Sequence, residues 1–147
     1  MSDLTAFITA LEAAQNGAQY SPEVQKAAAG INTDDLKKAY AAAEAQGNKA
    51  QIEDPAQSAA LKAGFEFAAK LVLELQSAPD NTEKTNLYVH YKIGNGVKVD
   101  KPGMFDLVKK HLFSAYEKVI EAGNTAQGSQ VAYIKQVVDL IAAKGLN

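Results

Sequence analysis

The chain of 147 residues is long enough for one domain, or one small domain with an appendage, and can bury a working apolar core. It has no cysteine, which excludes disulfides, thiol catalysis and cysteine-ligated zinc and suits a reducing compartment. A net charge of −2 argues against a general nucleic-acid binder. The N-terminal stretch MSDLTAFITALEAAQNGAQY has neither a basic n-region nor a continuous apolar h-region, so no signal peptide is expected. The run Leu71-Val72-Leu73 is far too short for a bilayer, which takes about 20 apolar residues, so no integral membrane segment is expected. These features predict a cytoplasmic protein.

Taken in chain order, the spacing predicts helices throughout and an all-α fold. A first helix follows Ser2 or Asp3 as N-cap, places Leu4, Phe7, Ile8 and Leu11 on one face, and ends near Gly17. Ser21-Pro22 is a cap followed by proline at the first helical position, opening a short helix that stops at Gly30. Thr33 is read as the cap of a third helix, with Leu36 and Tyr40 spaced by four. Asp54-Pro55 repeats the cap-then-proline signal before a stripe of Leu61, Phe65, Ala68, Ala69, Val72 and Leu75, which Pro79 ends. Asp80 with Glu83 reads as a capping box for a helix carrying Leu87, Tyr88 and Tyr91 to Gly94. After a loop over 94–103 comes a long helix with Phe105, Val108, Leu112, Tyr116 and Val119 on one side. Gly123 and Gly128 bracket a linker, and a last helix turns Val131, Ile134, Val138 and Ile141 inward. Large apolar residues are sparser near the N-terminus, which places a boundary between an extension, 1–59, and a domain, 60–147.

Charge is unevenly spread. Residues 84–118 hold seven lysines against three acids, a window of +4 in a chain whose remainder is −6. There is no arginine, so any anion must be held by lysine, backbone amides or histidine. Within that window Tyr88 and Tyr91 are three apart on one helix face, with Lys92 four from Tyr88. A phenol ring can stack on a purine, and its hydroxyl with a nearby ammonium group suits phosphates. Tyrosines at this spacing also serve as core residues with hydroxyls at the rim, and spacing alone leaves both readings open.

Other chemistry is weakly indicated. The two histidines, His90 and His111, are too few for a zinc site without cysteine, and no HExxH spacing exists. The paired acids Asp34-Asp35 and Glu53-Asp54 sit at helix starts, where carboxylates complement the dipole. Met104 reads as a core plug. No cofactor, metal or catalytic residue is called for, and the protein is not expected to be an enzyme.

The stretch LYVHYK (Leu87 to Lys92), then KPGMFD (Lys101 to Asp106), then AYIKQV (Ala132 to Val137), resembles the acyl-CoA-binding protein family over about 60–147. The resemblance implies an up-down-down-up four-helix bundle with a bowl-shaped site, non-catalytic binding and carriage of long-chain acyl-CoA, and no other cofactor. It implies that Tyr88 contacts the adenine or the acyl end, Tyr91 the head group and Lys92 the 3′-phosphate, with Tyr133 flanking it. Phe65, Ala68 and Ala69 would border the acyl channel.

The chain also departs from the family pattern. The loop between Lys92 and Pro102 is two residues shorter than usual, and Ile93 stands where the family has glutamine. Two family lysines fall at Leu73 and Leu112, and two tryptophans at Phe113 and Tyr116. The apolar pair opening the second helix is Lys84 and Thr85. Lys109, Lys110 and His111 lie within a turn of Leu112 and are the candidates to replace its charge. A bundle that has lost CoA recognition, serving as a lipid-binding or protein-interaction module, is the alternative. Residues 1–59 are the place for a protein partner or self-association. Their apolar stripe is too short to form a core alone, so it is expected to dock on the bundle.

Overall fold

The computed structural model describes residues 4–17, 20–103 and 106–146. Seven α-helices occupy them: α1 (Thr5–Gln15), α2 (Pro22–Ala28), α3 (Thr33–Gln46), α4 (Pro55–Leu71), α5 (Asn81–Gly94), α6 (Leu107–Glu121) and α7 (Ala126–Lys144). No strand is formed among the described residues, in keeping with the all-α expectation. Helices α4–α7 make the bundle, and α1–α3 pack onto it through α4 and α7.

Local chemistry sets most of the helix starts. Ser21 Oγ accepts from Val24 N, Asp54 Oδ1 from Gln57 N at 3.0 Å, and proline fills the first position of both helices. At α5 the capping box is complete: Glu83 N donates to Asp80 Oδ1, and Asp80 N to Glu83 Oε1, both at 2.8 Å. The α3 cap is Asn32, whose Oδ1 accepts from Asp35 N, and Thr33 is the first helical residue instead. Helix α4 ends at Leu71 and passes into a 3₁₀ turn, Val72–Glu74. Leu75 leaves the helical path, where it pairs in an antiparallel bridge with Leu146. The expected caps Ser2 and Asp3, and the assignments made for Met104 and Phe105, lie outside the described residues.

Gly128 does not bracket a linker. It sits in the first turn of α7, which Thr125 caps. A Cβ there would collide with the backbone of Asn48, so only glycine lets the Gly47–Lys49 turn approach α7. That contact is sewn with hydrogen bonds: Thr125 N donates to Asn48 O at 3.0 Å and Asn48 Nδ2 to Ala122 O at 2.8 Å; beside it, Gln127 Nε2 donates to Ser58 Oγ of α4 at 2.7 Å.

The core runs across residues 59 and 60 without a break. Phe7, Leu11, Leu36 and Ala43 from the extension belong to one cluster with Leu61, Phe65, Phe67, Leu71, Ile134 and Val137. The apolar face of α1 thus docks on the bundle. Helix α6 is the exception, since it packs chiefly on α5 and buries no residue fully. Leu107 and Val108, at its start, are 76% and 73% exposed. A helix leaning on one neighbour leaves an open groove beside it, and that groove is where the site lies.

Candidate functional site

Three hollows meet at Tyr88. The largest, about 1090 Å³, is a cleft between α5, the α5–α6 loop and α6; Tyr88, Lys92, Lys98, Lys101, Lys109 and Leu112 are among its walls. The second, about 400 Å³, is mostly apolar and lies between the end of α4, α5 and α7, walled by Ala69, Val72, Leu87, Tyr88, Tyr91 and Tyr133. The third, about 830 Å³, lies between α5 and the exposed start of α6, with Lys84, Tyr88, Leu107, Val108 and His111. One half-buried phenol therefore borders a lysine-rich cleft and two apolar ones.

The tyrosines are held by packing. The rings of Phe65, Tyr91 and Tyr133 form a triangle with centroids 5.2 to 5.9 Å apart. Tyr91 donates to Glu66 Oε2 at 3.4 Å, and Glu66 pairs with Lys62 at 3.3 Å. Lys62 in turn donates to Asn95 Oδ1 at 2.6 Å. Burial, and then the nearby Tyr91 and Glu66, push the Tyr133 hydroxyl well above the ordinary phenol range. Burial, followed by the Glu66 charge, also raises the Tyr91 hydroxyl above its ordinary value. Both hydroxyls stay protonated at neutral pH and keep a proton to donate. Lys92 Nζ lies 5.6 Å from the centre of the Tyr88 ring, a cation–π arrangement that holds the ammonium at the cleft wall.

The residues singled out from the sequence divide into groups. Tyr88, Tyr91, Tyr133 and Ala69 come together around the apolar hollow, and Tyr88 with Lys92 at the basic cleft. Phe65 and Ala68 are fully buried, beneath the groove rather than along it; Phe65 supports Tyr91 and Tyr133 from below. Tyr91 turns its hydroxyl to Glu66 and lines the apolar side. His111 is exposed and borders the third hollow, and Lys110 is exposed outside all three linings. His90 lies elsewhere, half-buried, its Nδ1 3.1 Å from Ser129 Oγ. The sequence reading did not single out Lys98, Lys101, Leu107 or Val108 as site residues. The density of lysines in the loop was the available signal for the first two. Among the described residues no group of three His, Asp or Glu side chains could hold a metal, and no helix is long and apolar enough to cross a membrane.

The family model described as Acyl CoA binding protein matches residues 62–137, from mid-α4 to α7. The chain belongs to the acyl-CoA-binding protein family. It is 39% identical over 83 residues to acyl-CoA-binding protein homolog 1 of Caenorhabditis elegans, covering 55% of this chain and 94% of that protein. With the acyl-CoA-binding protein homolog of Manduca sexta the figures are 36% over 89 residues, 58% of this chain and 97% of that one. The acyl-CoA-binding protein of Saccharomyces cerevisiae is 35% identical over 81 residues, 53% and 90% of the two chains. No solved structure matches the chain significantly. The family segment contains the tyrosine triangle, Lys92 and the whole of the basic cleft, while α1–α3 stand outside it.

Proposed function

We propose that the protein binds and carries long-chain acyl-CoA thioesters and performs no chemistry on them. The observation that carries this reading is the position of Tyr88 at the meeting of a lysine-walled cleft with two apolar hollows. Acyl-CoA has the same division: a phosphorylated nucleotide at one end and a hydrocarbon chain at the other. Burying the chain contributes about 0.8 kcal/mol per methylene, while lysine and tyrosine contacts orient the head. In this reading the nucleotide lies along Lys92 and the α5–α6 loop, and the acyl chain runs past Tyr88 over Ala69, Leu87 and Tyr133. Leu107 and Val108, exposed at the start of α6, become buried when the ligand is present. Family membership and the names of the relatives support the same ligand.

Calorimetric titration with palmitoyl-CoA, free CoA and palmitate, side by side, tests it. The carrier reading expects tight binding of the thioester, with CoA and palmitate each much weaker. Equal binding of palmitate would make the protein a general lipid binder, and absence of any heat would leave the groove to a protein partner.

A further inference from the structure

Leu112 stands in the wall of the basic cleft, and the lysines of that wall are Lys92, Lys98, Lys101 and Lys109. We infer that Lys98 and Lys101, on the α5–α6 loop, grip a phosphate of the ligand's nucleotide together with Lys92. This rests on the carrier reading above and assigns residues within it.

The backbone explains how loop lysines reach the cleft. Helix α5 ends in a Schellman motif: Gly96 N donates to Ile93 O at 2.9 Å, Val97 N donates to Lys92 O at 2.8 Å, and Gly96 is left-handed at φ +68°. The second bond joins the carbonyl of Lys92 to the residue before Lys98. The loop therefore doubles back on the last turn of α5, and Lys98 emerges at the end of the helix that carries Lys92. Asn95 braces the same turn, donating to Tyr91 O at 2.9 Å and accepting from Lys62 at 2.6 Å. Lys98, Lys101 and Lys92 then wall one cleft.

The remaining charges of that cleft favour an anion at these positions. Lys109 is held at 3.7 Å by Asp106, whose other oxygen caps α6, so that pair is already committed. Asp100 is the other acid in the lining. Among the described residues neither Lys98 nor Lys101 forms an ion pair, and both are exposed at the mouth. A phosphate monoester carries about −1.5 to −2 charges at neutral pH and has three acceptor oxygens, so it can engage several ammonium groups at once.

The test compares palmitoyl-CoA with palmitoyl-3′-dephospho-CoA at physiological ionic strength. The proteins are wild type, Lys98→Ala/Lys101→Ala, and a control, Lys37→Ala/Lys135→Ala, that removes the same charge elsewhere. The loop variant is expected to bind palmitoyl-CoA about ten-fold or more weakly, with an unchanged melting midpoint and a control near wild type. Lys98→Arg/Lys101→Arg, which keeps the charge, should restore most of the affinity. If the loss vanishes with the dephospho ligand, the gripped group is the 3′-phosphate; if it persists, it is the pyrophosphate, and either result upholds the inference. Wild-type affinity in the loop variant, or an equal loss in the control, would overturn it. A wild-type protein that binds neither thioester would instead overturn the carrier reading, and this assignment would fall with it.

Discussion

The rings of Phe7 and Phe67 meet edge-to-face, with centroids 5.5 Å apart, and both side chains are fully buried. One belongs to the first helix of the extension and the other to the first helix of the family bundle. The pair is the most direct evidence that α1 is part of the core and not a tether. Phe7→Ala is therefore expected to lower unfolding stability by about 3–5 kcal/mol, the range for a large aromatic removed from a packed interior. Removing residues 1–50 should lower the melting midpoint further, since Leu11, Leu36 and Tyr40 go with it. A thermal melt of each variant checks this, and an unshifted midpoint for Phe7→Ala would contradict the packing.

His90 gives a prediction in pH. Its imidazole is half-buried beside Ser129, and burial lowers its proton affinity below the ordinary value of 6.5. In the unfolded chain the ring titrates near 6.5, so between that pH and the lower folded value the unfolded state holds more protons. The stability contributed by neutral His90 is present in full above 6.5 and is lost as pH falls through the folded value. Denaturant midpoints measured from pH 7.5 down to 5 should fall for the wild type. In His90→Gln the fall should be shallower.

Gly128→Ala tests the junction between the extension and α7. The added methyl must displace the backbone of Asn48, and with it the bonds to Thr125 and Ala122. A loss of about 1–3 kcal/mol is expected from such overpacking, read from urea denaturation. Thioester affinity should stay close to wild type, because the collision lies away from the three hollows that meet at Tyr88.

Some of these features are set by neighbours in sequence and others by distant partners. The cap-then-proline pairs at Ser21 and Asp54 and the Asp80–Glu83 box are local signals, decided within four residues, and they set the helix starts as read. Gly128 could not be read that way. Its reason is Asn48, distant in sequence, and a glycine near a helix start looks like a linker until the partner is known. Leu75 is similar: it fits the α4 stripe, but pairing with Leu146 draws it off the helix. The motif singles out Tyr88, Tyr91 and Tyr133, and all three line the apolar hollow. The resemblance puts Phe65 and Ala68 along the channel, yet both are fully buried, and of their stripe Ala69 and Val72 reach the hollow. Lys98 and Lys101 had no period to mark them, because a loop lysine's destination is set by backbone bonds.

Lys92→Ala should weaken palmitoyl-CoA binding by about 1–3 kcal/mol, the worth of a charge-assisted hydrogen bond at a partly screened position. The ammonium stands over the Tyr88 ring at the wall of the basic cleft, so it contributes charge and also helps hold the ring. Folding should be unaffected, since the side chain is half-buried at a rim and belongs to no core cluster. The readout is calorimetric affinity beside a melting curve, and wild-type affinity would remove Lys92 from the site.

Tyr133→Phe separates the ring from its hydroxyl. The ring is core: it is 4% exposed and packs edge-on against Phe65 at 5.2 Å, and phenylalanine preserves all of that. The hydroxyl belongs to a residue of the apolar hollow, and burial keeps it protonated far above neutral pH, so what it offers a ligand is a donated hydrogen bond. A neutral bond of this kind contributes about 0.5–1.5 kcal/mol net. The variant should melt within a degree or two of wild type, because its volume and stacking are unchanged, and bind palmitoyl-CoA about two- to ten-fold more weakly. The pH dependence of binding supplies a second check. A hydroxyl that never ionises below pH 10 predicts that the gap between Tyr133 and Phe stays constant from pH 6 to 9. A gap that closes as pH rises would mean that the phenol ionises in that range and that its surroundings are wetter than the packing around Phe65 implies.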